Sequence, residues 1–439
     1  MTSEETCEFQ QLFSVPLRNG LTRPKAVRGV GVNMVNMGEV FAHRRIRDIP
    51  MERVSLSEKE ARDYLLEEGD LLFARQSLVL AGAGKCSIFL STLEPATFES
   101  HLIRARLRQD IADPHFYFYF FQSRAGRNTI ESITEQVAAA GIRGSDLARL
   151  TVPKPSLSEQ AAIARILATL DDKIELNRRM NETLEAIARA MFKSWFVDFD
   201  PVRAKAEGRQ PFGMNADTAV LFSNSFQDSP IGKIPKGWTI EEIRKRTSNI
   251  QYGLTRSATK DKIGPRFLRI TDIQGGRIDW EQVPYCPVSA EELSKYQIWP
   301  GDIFVARTGA STGENIYIVA APNSVFASYL VRFQLSDASV ARVVGEFMRT
   351  TAYFDFVANA IGGSAQPNAS AQVLASALFA FPPTSIAKRF AESVRPLDER
   401  RVLNDAESRT LALIRDALLP KLISGEIRVK GRDKNAELV

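Results

Sequence analysis

SEQAAIARILATLDDKIELNRRMNETLEAIARAMFKSWF, residues 158–196, contains neither glycine nor proline. Seam residues recur at Ile163, Leu167, Leu170, Ile174, Asn177, Asn181, Leu184, Ala188, Met191 and Trp195. The steps alternate four and three without a slip, as in the narrow seam of a coiled coil rather than the broad stripe of a helix on a globular core. About 39 residues at a rise of ~1.5 Å predict a rod of roughly 58 Å. Such a rod in mid-chain needs a partner.

The partner lies in the same chain. Gly20-Leu21-Thr22-Arg23 recurs as Gly253-Leu254-Thr255-Arg256, and Gly69-Asp70 through Arg75 as Gly301-Asp302 through Arg307. Ser100-His101-Leu102-Ile103-Arg104 recurs as Ser328-Tyr329-Leu330-Val331-Arg332. Leu170-Asp171 with Leu176-Asn177 recurs as Leu397-Asp398 with Leu403-Asn404. Four matches in one order, with nearly constant offset, make the chain two copies of one unit: a mixed domain followed by a long helix. The second helix is expected over 385–424, with seam residues Phe390, Val394, Leu397, Arg401, Asn404, Leu411, Leu418 and Leu422. Pro396 should kink it or start its main segment, and Pro420 should disturb its last turn. Two copies packed about a pseudo-twofold axis make the helices antiparallel. Asn177 is the midpoint of 158–196, so Asn177 and Asn404 are expected to meet at the crossing and fix register. The alternative has both asparagines facing solvent at the seam edge.

The expected class is α+β, twice. Residues 27–37, 70–74 and 102–107 read as strands, and the aromatic run 115–122 as a buried helix, although a strand is possible. In the second copy the strands are 266–273, 302–306 and 329–333, and the matching helix is 345–356. The expected layout is a first domain over 1–154, the central helix over 155–206, a linker over 207–234, a second domain over 235–384, and the last helix with its tail over 385–430.

The chain has 439 residues, 44% of them hydrophobic, and a net charge of +5. Its pI is about 9.0. That balance suits a polyanion without demanding one. No run approaches the roughly 20 apolar residues that cross a membrane, and the polar start Met1-Thr2-Ser3-Glu4-Glu5 does not read as a secretory signal. A cytoplasmic location is expected. Cys7, Cys86 and Cys286 are scattered, as are His43, His101 and His115; they suggest no disulfide frame and no metal site. Gly82-Ala83-Gly84-Lys85-Cys86 fails as a phosphate loop: Val79 stands where the first glycine belongs, and Cys86 replaces the Ser or Thr. Asp113-Pro114-His115-Phe116 falls short of the amino-methyltransferase tetrapeptide, and no glycine-rich cofactor loop accompanies it. No catalytic residue is therefore assigned.

Several residues suit DNA. Arg23, Arg75, Arg104, Arg106 and Arg143 in the first copy, and Arg256, Arg269, Arg307 and Arg332 in the second, fall at or near strand ends and glycine-bearing loops. Arginine holds phosphate or reads guanine bidentately; the competing reading is solvated or ion-paired surface arginine. Loops 140–145 and 362–368 follow the aromatic helices, and Gln366 and Asn368 can pair with adenine edges. The repeated Gly-Asp pairs are better suited to turns that launch strands than to base contact.

Leu157-Ser158-Glu159-Gln160, Leu170-Asp171-Asp172-Lys173-Ile174-Glu175-Leu176-Asn177 and the run from Phe192 through Trp195-Phe196 to Val202 closely resemble the central conserved region of type I restriction–modification specificity subunits. Leu418-Leu419-Pro420-Lys421-Leu422-Ile423-Ser424-Gly425-Glu426-Ile427 looks like their distal conserved region, and Gly232-Lys233-Ile234-Pro235-Lys236-Gly237-Trp238 like the start of their second target recognition domain. The first copy lacks that start. The resemblance covers the whole chain in layout and about a quarter of it in detail. It implies two target recognition domains, each reading half of a bipartite, asymmetric site in double-stranded DNA, separated by a coiled-coil spacer of antiparallel helices. It implies two modification subunits that bind S-adenosylmethionine and methylate adenine, and restriction subunits that use ATP and magnesium, with no cofactor on this chain. The competing functions are an interaction scaffold that does not touch DNA and an atypical methyltransferase or nuclease.

Overall fold

The computed structural model describes residues 5–90, 92–136, 140–362 and 368–429. The chain forms two compact units: Met1–Leu176 with Glu407–Val439, and Asn177–Ala406. Each unit therefore holds one mixed domain and a portion of each long helix.

The central helix runs Leu157–Phe192 and passes into a π-helical turn at Lys193–Val197. The terminal helix runs Thr384–Ile423. In the first unit, Asp171 meets Arg415 and Lys173 meets Glu407. In the second, Glu185 meets Arg401 and Phe192 lies against Phe390, with ring centroids 6.2 Å apart. Within each unit the two helix segments are thus antiparallel.

Two expectations about these helices change. Pro396 does not start the main segment of the terminal helix, which already runs from Thr384, and Pro420 stays helical within the last turn before Ser424. Both prolines are exposed, as are Glu392 and Asp416, whose carbonyls lose their helical donors; water on that face can satisfy them. The seam also shifts. Asp171, Glu185 and Phe192 are buried, whereas Leu170, Leu184 and Met191 are only half-buried. The helix faces a domain as well as a second helix, so its covered face is broader than a coiled-coil seam.

In the first unit a five-stranded sheet has the order Arg18–Asn19, Leu102–Ala105, Leu71–Ala74, Cys86–Phe89, Arg45–Ile46. The second unit keeps four of these positions: Thr247–Tyr252, Leu330–Leu335, Ile303–Ala306, Asn315–Tyr317. Register is preserved as well, with Leu102 opposite Ala74 and Leu330 opposite Ala306. Beside each lies a parallel pair, Arg28–Val35 with Ala96–Phe98 and Arg266–Leu268 with Ser324–Phe326. The expected strand 266–273 is shorter because a 3-10 turn at Ile270–Asp272 follows it.

The aromatic run is the helix Pro114–Gln122. Asp113 caps it, accepting from the His115 and Phe116 N–H groups, and Pro114 takes a first-turn position that needs no donor. The Asp-Pro pair is thus a helix start. The expected helix 345–356 is instead two helices, Ala338–Phe347 and Thr351–Ile361. Thr350 has extended backbone between them, as Ser123 does in the first copy before Arg124–Ser132.

Residues 207–234 are not an unstructured linker. They include the helix Ala216–Leu221, and Phe226–Gln227 pairs with Ile234–Pro235. Phe222, Ile234 and Trp238 are buried in the second unit's core. Trp195 packs edge-on to Phe222 and Phe390, and Phe196 against Trp238 and Phe390. The Trp-Phe and Gly-Trp motifs therefore form one aromatic cluster, each edge-on pair worth about 1 kcal/mol beyond its burial. Among the described residues no helix is long and apolar enough to cross a membrane.

Candidate nucleic-acid interface

The nominated arginines separate by what each side chain holds. Arg104 and Arg332 are 4% exposed. Arg104 donates to the carbonyls of Asp63 and Leu65 at the end of the helix Glu58–Tyr64. Arg332 donates to Lys295 and Gln297 at the end of Ala290–Tyr296, and also to Gln251. Each guanidinium lies over a phenylalanine, Phe98 or Phe326. A cation at a helix C-terminus satisfies free carbonyls and the negative end of the dipole. Burial lowers the pKa of both groups. These two arginines are helix caps and leave the DNA set.

Arg106 leaves it too. It holds Asp70 bidentately at 2.7 and 2.8 Å and pairs with Glu67. Asp70 in turn accepts from the Glu67 N–H, closing a turn at Gly69, whose φ is +91°. The second copy repeats this turn: Asp302 accepts from the Trp299 N–H, Gly301 has φ +95°, and Gln334 replaces Arg106 as donor to Asp302. Burial raises the Asp302 pKa, against hydrogen bonds from Trp299 and Gln334 that lower it.

Arg23 and Arg256 also share one structural task. Arg23 meets Glu60 at 2.5 Å, and Arg256 meets Glu292 at 2.7 Å. Both glutamates close capping boxes, with Ser57 and Ser289. The Ser57 N–H, then Arg23, then the Ser57 hydroxyl bring Glu60 down to about 2. Arg269 is held by Asp272 at 2.8 and 3.0 Å.

The remaining residues lie on loops. Arg75 is exposed at a strand end, and its carbonyl accepts from the Ile142 N–H. Gln76–Ser77 pairs with Ala140–Gly141, which brings Arg143 alongside. Asn19, Arg75, Gln76, Glu135 and Arg143 line a groove of about 260 Å³. Arg143 forms an exposed pair with Glu135. In the second unit Arg307 occupies the position of Arg75, and its carbonyl accepts from the Ala369 N–H. Its guanidinium lies 4.7 Å from the Tyr252 ring centroid and donates to the Asn368 amide oxygen at 3.3 Å. The structure thus gathers Arg75 with Arg143, and Arg307 with Asn368. Gln366 lies outside the described residues.

Asn177 and Asn404 are both buried. The Asn177 amide donates to the Asn404 backbone carbonyl at 3.4 Å, Asn404 donates to Asn181 at 2.9 Å, and Asn181 to Asp405 at 2.7 Å. Asp171 and Asp398, the repeated Leu-Asp aspartates, anchor each domain to its helices. Asp171 accepts from Tyr119 and Arg415 at 2.7 and 2.6 Å, and Asp398 accepts from Arg342 at 2.9 Å. Glu185 gathers Arg349, Arg401, Arg277 and Arg189. Burial alone would raise its pKa, but Arg349 and Arg401 outweigh that and lower it.

Some loop residues were not singled out from sequence: Gln76, Tyr252 and the aliphatic run Leu78-Val79-Leu80. The signal for the last was a repeat spacing. The Gly84 N–H donates to the Ala74 carbonyl and the Gly313 N–H to the Ala306 carbonyl, so the first-copy loop is three residues longer.

Residues 29–186 match the family model described as "Type I restriction modification DNA specificity domain". The chain is 24% identical over 383 residues to the type I restriction enzyme MjaIX specificity subunit of Methanocaldococcus jannaschii, covering 86% of this chain and 84% of that one. It is 25% identical over 457 residues to the type I restriction enzyme HindI specificity subunit of Haemophilus influenzae, covering 90% and 94%. In fold it resembles the crystal structure of the type I restriction–modification S subunit from M. genitalium, with a TM-score of 0.54, 14% identity and coverage of 96% and 97%. The matched domain, the near full-length relatives and the shared fold agree, and the chain is similar along most of its length to type I restriction–modification specificity subunits.

Proposed function

We propose that this chain selects the DNA sequence on which a type I restriction–modification complex acts. Each domain reads one half of a bipartite, asymmetric site in double-stranded DNA, and the paired helices set the gap. The reading rests chiefly on one observation: the two copies share their supporting arginines and turns, but differ in the loops beside Arg75 and Arg307. Like scaffolds carrying unlike loops suit two different half-sites. Arg75, Arg143, Arg307 and Asn368 are the proposed contacts, with base edges read by the polar side chains and phosphates by the charges.

The helices dock two modification subunits. Support comes from exposed apolar residues that recur at one offset: Leu176 with Leu403, and Ile187 with Ile414. The first unit presents Leu176 and Ile414, the second Leu403 and Ile187. A surface that occurs twice with the same residues suits two copies of one partner. The chain itself is non-catalytic: S-adenosylmethionine belongs to the modification subunits, ATP and magnesium to the restriction subunits, and the complex works in the cytoplasm.

The test is to map methylated adenines in a genome that expresses this chain with its modification partners, against one lacking it. One asymmetric two-part motif with a fixed gap is expected to disappear with the chain. A methylation pattern independent of the chain refutes the reading.

A further inference from the structure

Leu78, Val79 and Leu80 are 95%, 64% and 41% exposed. Three consecutive bare aliphatic side chains on a polar surface indicate function or error. This run is held in place from several sides. Arg127 donates to the carbonyls of Ala81 and Ala83 at 3.3 and 3.2 Å. The Val79 N–H donates to the Ser77 hydroxyl at 3.2 Å. A Cβ added at Gly82 would lie 2.1 Å from that same oxygen, so the loop closes tightly there. Its base, Gln76–Ser77, is a paired strand beside the groove that Arg75 and Arg143 line. The apolar tip therefore projects from a cationic rim on a shaped loop that needs little further ordering.

The second copy has no such tip. Between Ala306 and Gly313 it carries Arg307, Thr308, Gly309, Ala310, Ser311 and Thr312. The Thr312 hydroxyl turns inward to the Gly309 carbonyl at 2.7 Å. Its reading group is the Asn368 amide oriented by Arg307.

In the DNA major groove one base feature is apolar, the 5-methyl of thymine. The flanking arginines attract the phosphates that border that groove. We propose that the Leu78-Val79-Leu80 loop reads thymine methyl groups in the half-site bound by the first domain, a discrimination the second domain lacks. This rests on the DNA-reading function proposed above.

The experiment uses the chain assembled with its modification partners and a duplex carrying the mapped site. Binding is measured at fixed salt by fluorescence anisotropy. Each thymine in the first half-site is replaced in turn by deoxyuridine, which removes only the methyl. At least one replacement should weaken binding about fourfold, the effect of one buried carbon group. The L78S/V79S variant should weaken binding to the thymine duplex, and deoxyuridine should then have no further effect. Replacements in the second half-site should not couple to this variant. Independent, multiplying losses would overturn the proposal, as would a first half-site without thymine or indifference to every replacement. So would a variant that impairs assembly with its partners while site discrimination stays intact. A complex with no site preference at all would overturn the recognition function itself, whereas selection indifferent to thymine methyls would overturn only this proposal.

Discussion

Asn404 ties stability and alignment together in a way that substitution can separate. Its amide donates to Asn181 at 2.9 Å, while its backbone carbonyl accepts from Asn177 at 3.4 Å. In N404A the backbone contact survives, but one buried hydrogen bond is lost and a small void remains. The expected cost is about 3 kcal/mol, from ~2 for leaving the Asn181 amide oxygen without its donor and ~1 for the void. In N404L the void is filled. Burying leucine gains about 2 kcal/mol, and leaving the Asn181 carbonyl without its donor costs about as much, so stability should hardly change. Both variants remove the side-chain link between residues 404 and 181, and both should loosen the pairing. Spin labels at A186C and R400C, both exposed positions on the second unit's helix segments, read this as a distance distribution, with Cys7 changed to Ser. The native distribution should be narrow and those of N404A and N404L broad. A slip of one heptad moves a helix by about 10 Å, the rise of about three base pairs. The methylated motif should therefore show a blurred gap before binding fails. A narrow, unshifted distribution in N404L at unchanged stability would refute the register role.

Asp171 receives the Tyr119 hydroxyl and the Arg415 guanidinium in a covered site, so D171A should cost about 3 kcal/mol in thermal or urea unfolding. Adding Y119F and R415M should recover at least ~1 kcal/mol of that, because no buried group then lacks its acceptor. Arg104 and Arg332 cap helices from inside, so R104M or R332M should lose about 2 kcal/mol and leave the salt dependence of DNA binding unchanged. R75A should do the reverse, keeping stability within about 0.5 kcal/mol and lowering the log–log salt slope by about 1. Glu60 sits at about 2 in the folded chain against ~4.3 unfolded, so its contribution is present above pH ~4.3 and is lost as pH falls towards 2. The melting-temperature gap between wild type and E60Q should accordingly close over that interval.

The long helices were readable because period and the absence of breakers are local properties. Their boundaries hold within a few residues, and Lys193 through Val197 continue as a π turn. The depth of their burial was not readable. Leu170 and Leu184 look like seam residues, yet Asp171 and Glu185 take the covered positions because partners distant in sequence neutralise them. Tyr119 and Arg415 lie far from Asp171 along the chain, and no periodicity reveals that convergence. The stretch 207–234 misled for the opposite reason. Gly, Pro and polar residues dominate it, but Phe222 and Ile234 bury with Trp238 and hold it folded.

The arginines carry the deeper lesson. Six of the nine, Arg23, Arg75, Arg104 and their counterparts Arg256, Arg307 and Arg332, lie in the recurring motifs, and recurrence marks what two copies have in common. Domains that read different half-sites cannot share the side chains that tell those half-sites apart. What they share must be support or contact with the uniform phosphate backbone, and Arg23 with Arg256, and Arg104 with Arg332, perform the same supporting task in the same place. Readout should be sought where the repeat breaks: in Arg143, which has no counterpart among the matched motifs, in Asn368 beside Arg307, and in the three extra residues between Ala74 and Gly84. By the same logic the recurring exposed pairs, Leu176 with Leu403 and Ile187 with Ile414, are the surface expected to meet a partner that is itself present twice. Exchanging Gln76–Ala83 for the loop Thr308–Thr312 should therefore alter only the first half of the methylated motif, leaving gap and assembly intact. An exchange that moved the gap while sparing both half-sites would place readout on the scaffold and reverse this division.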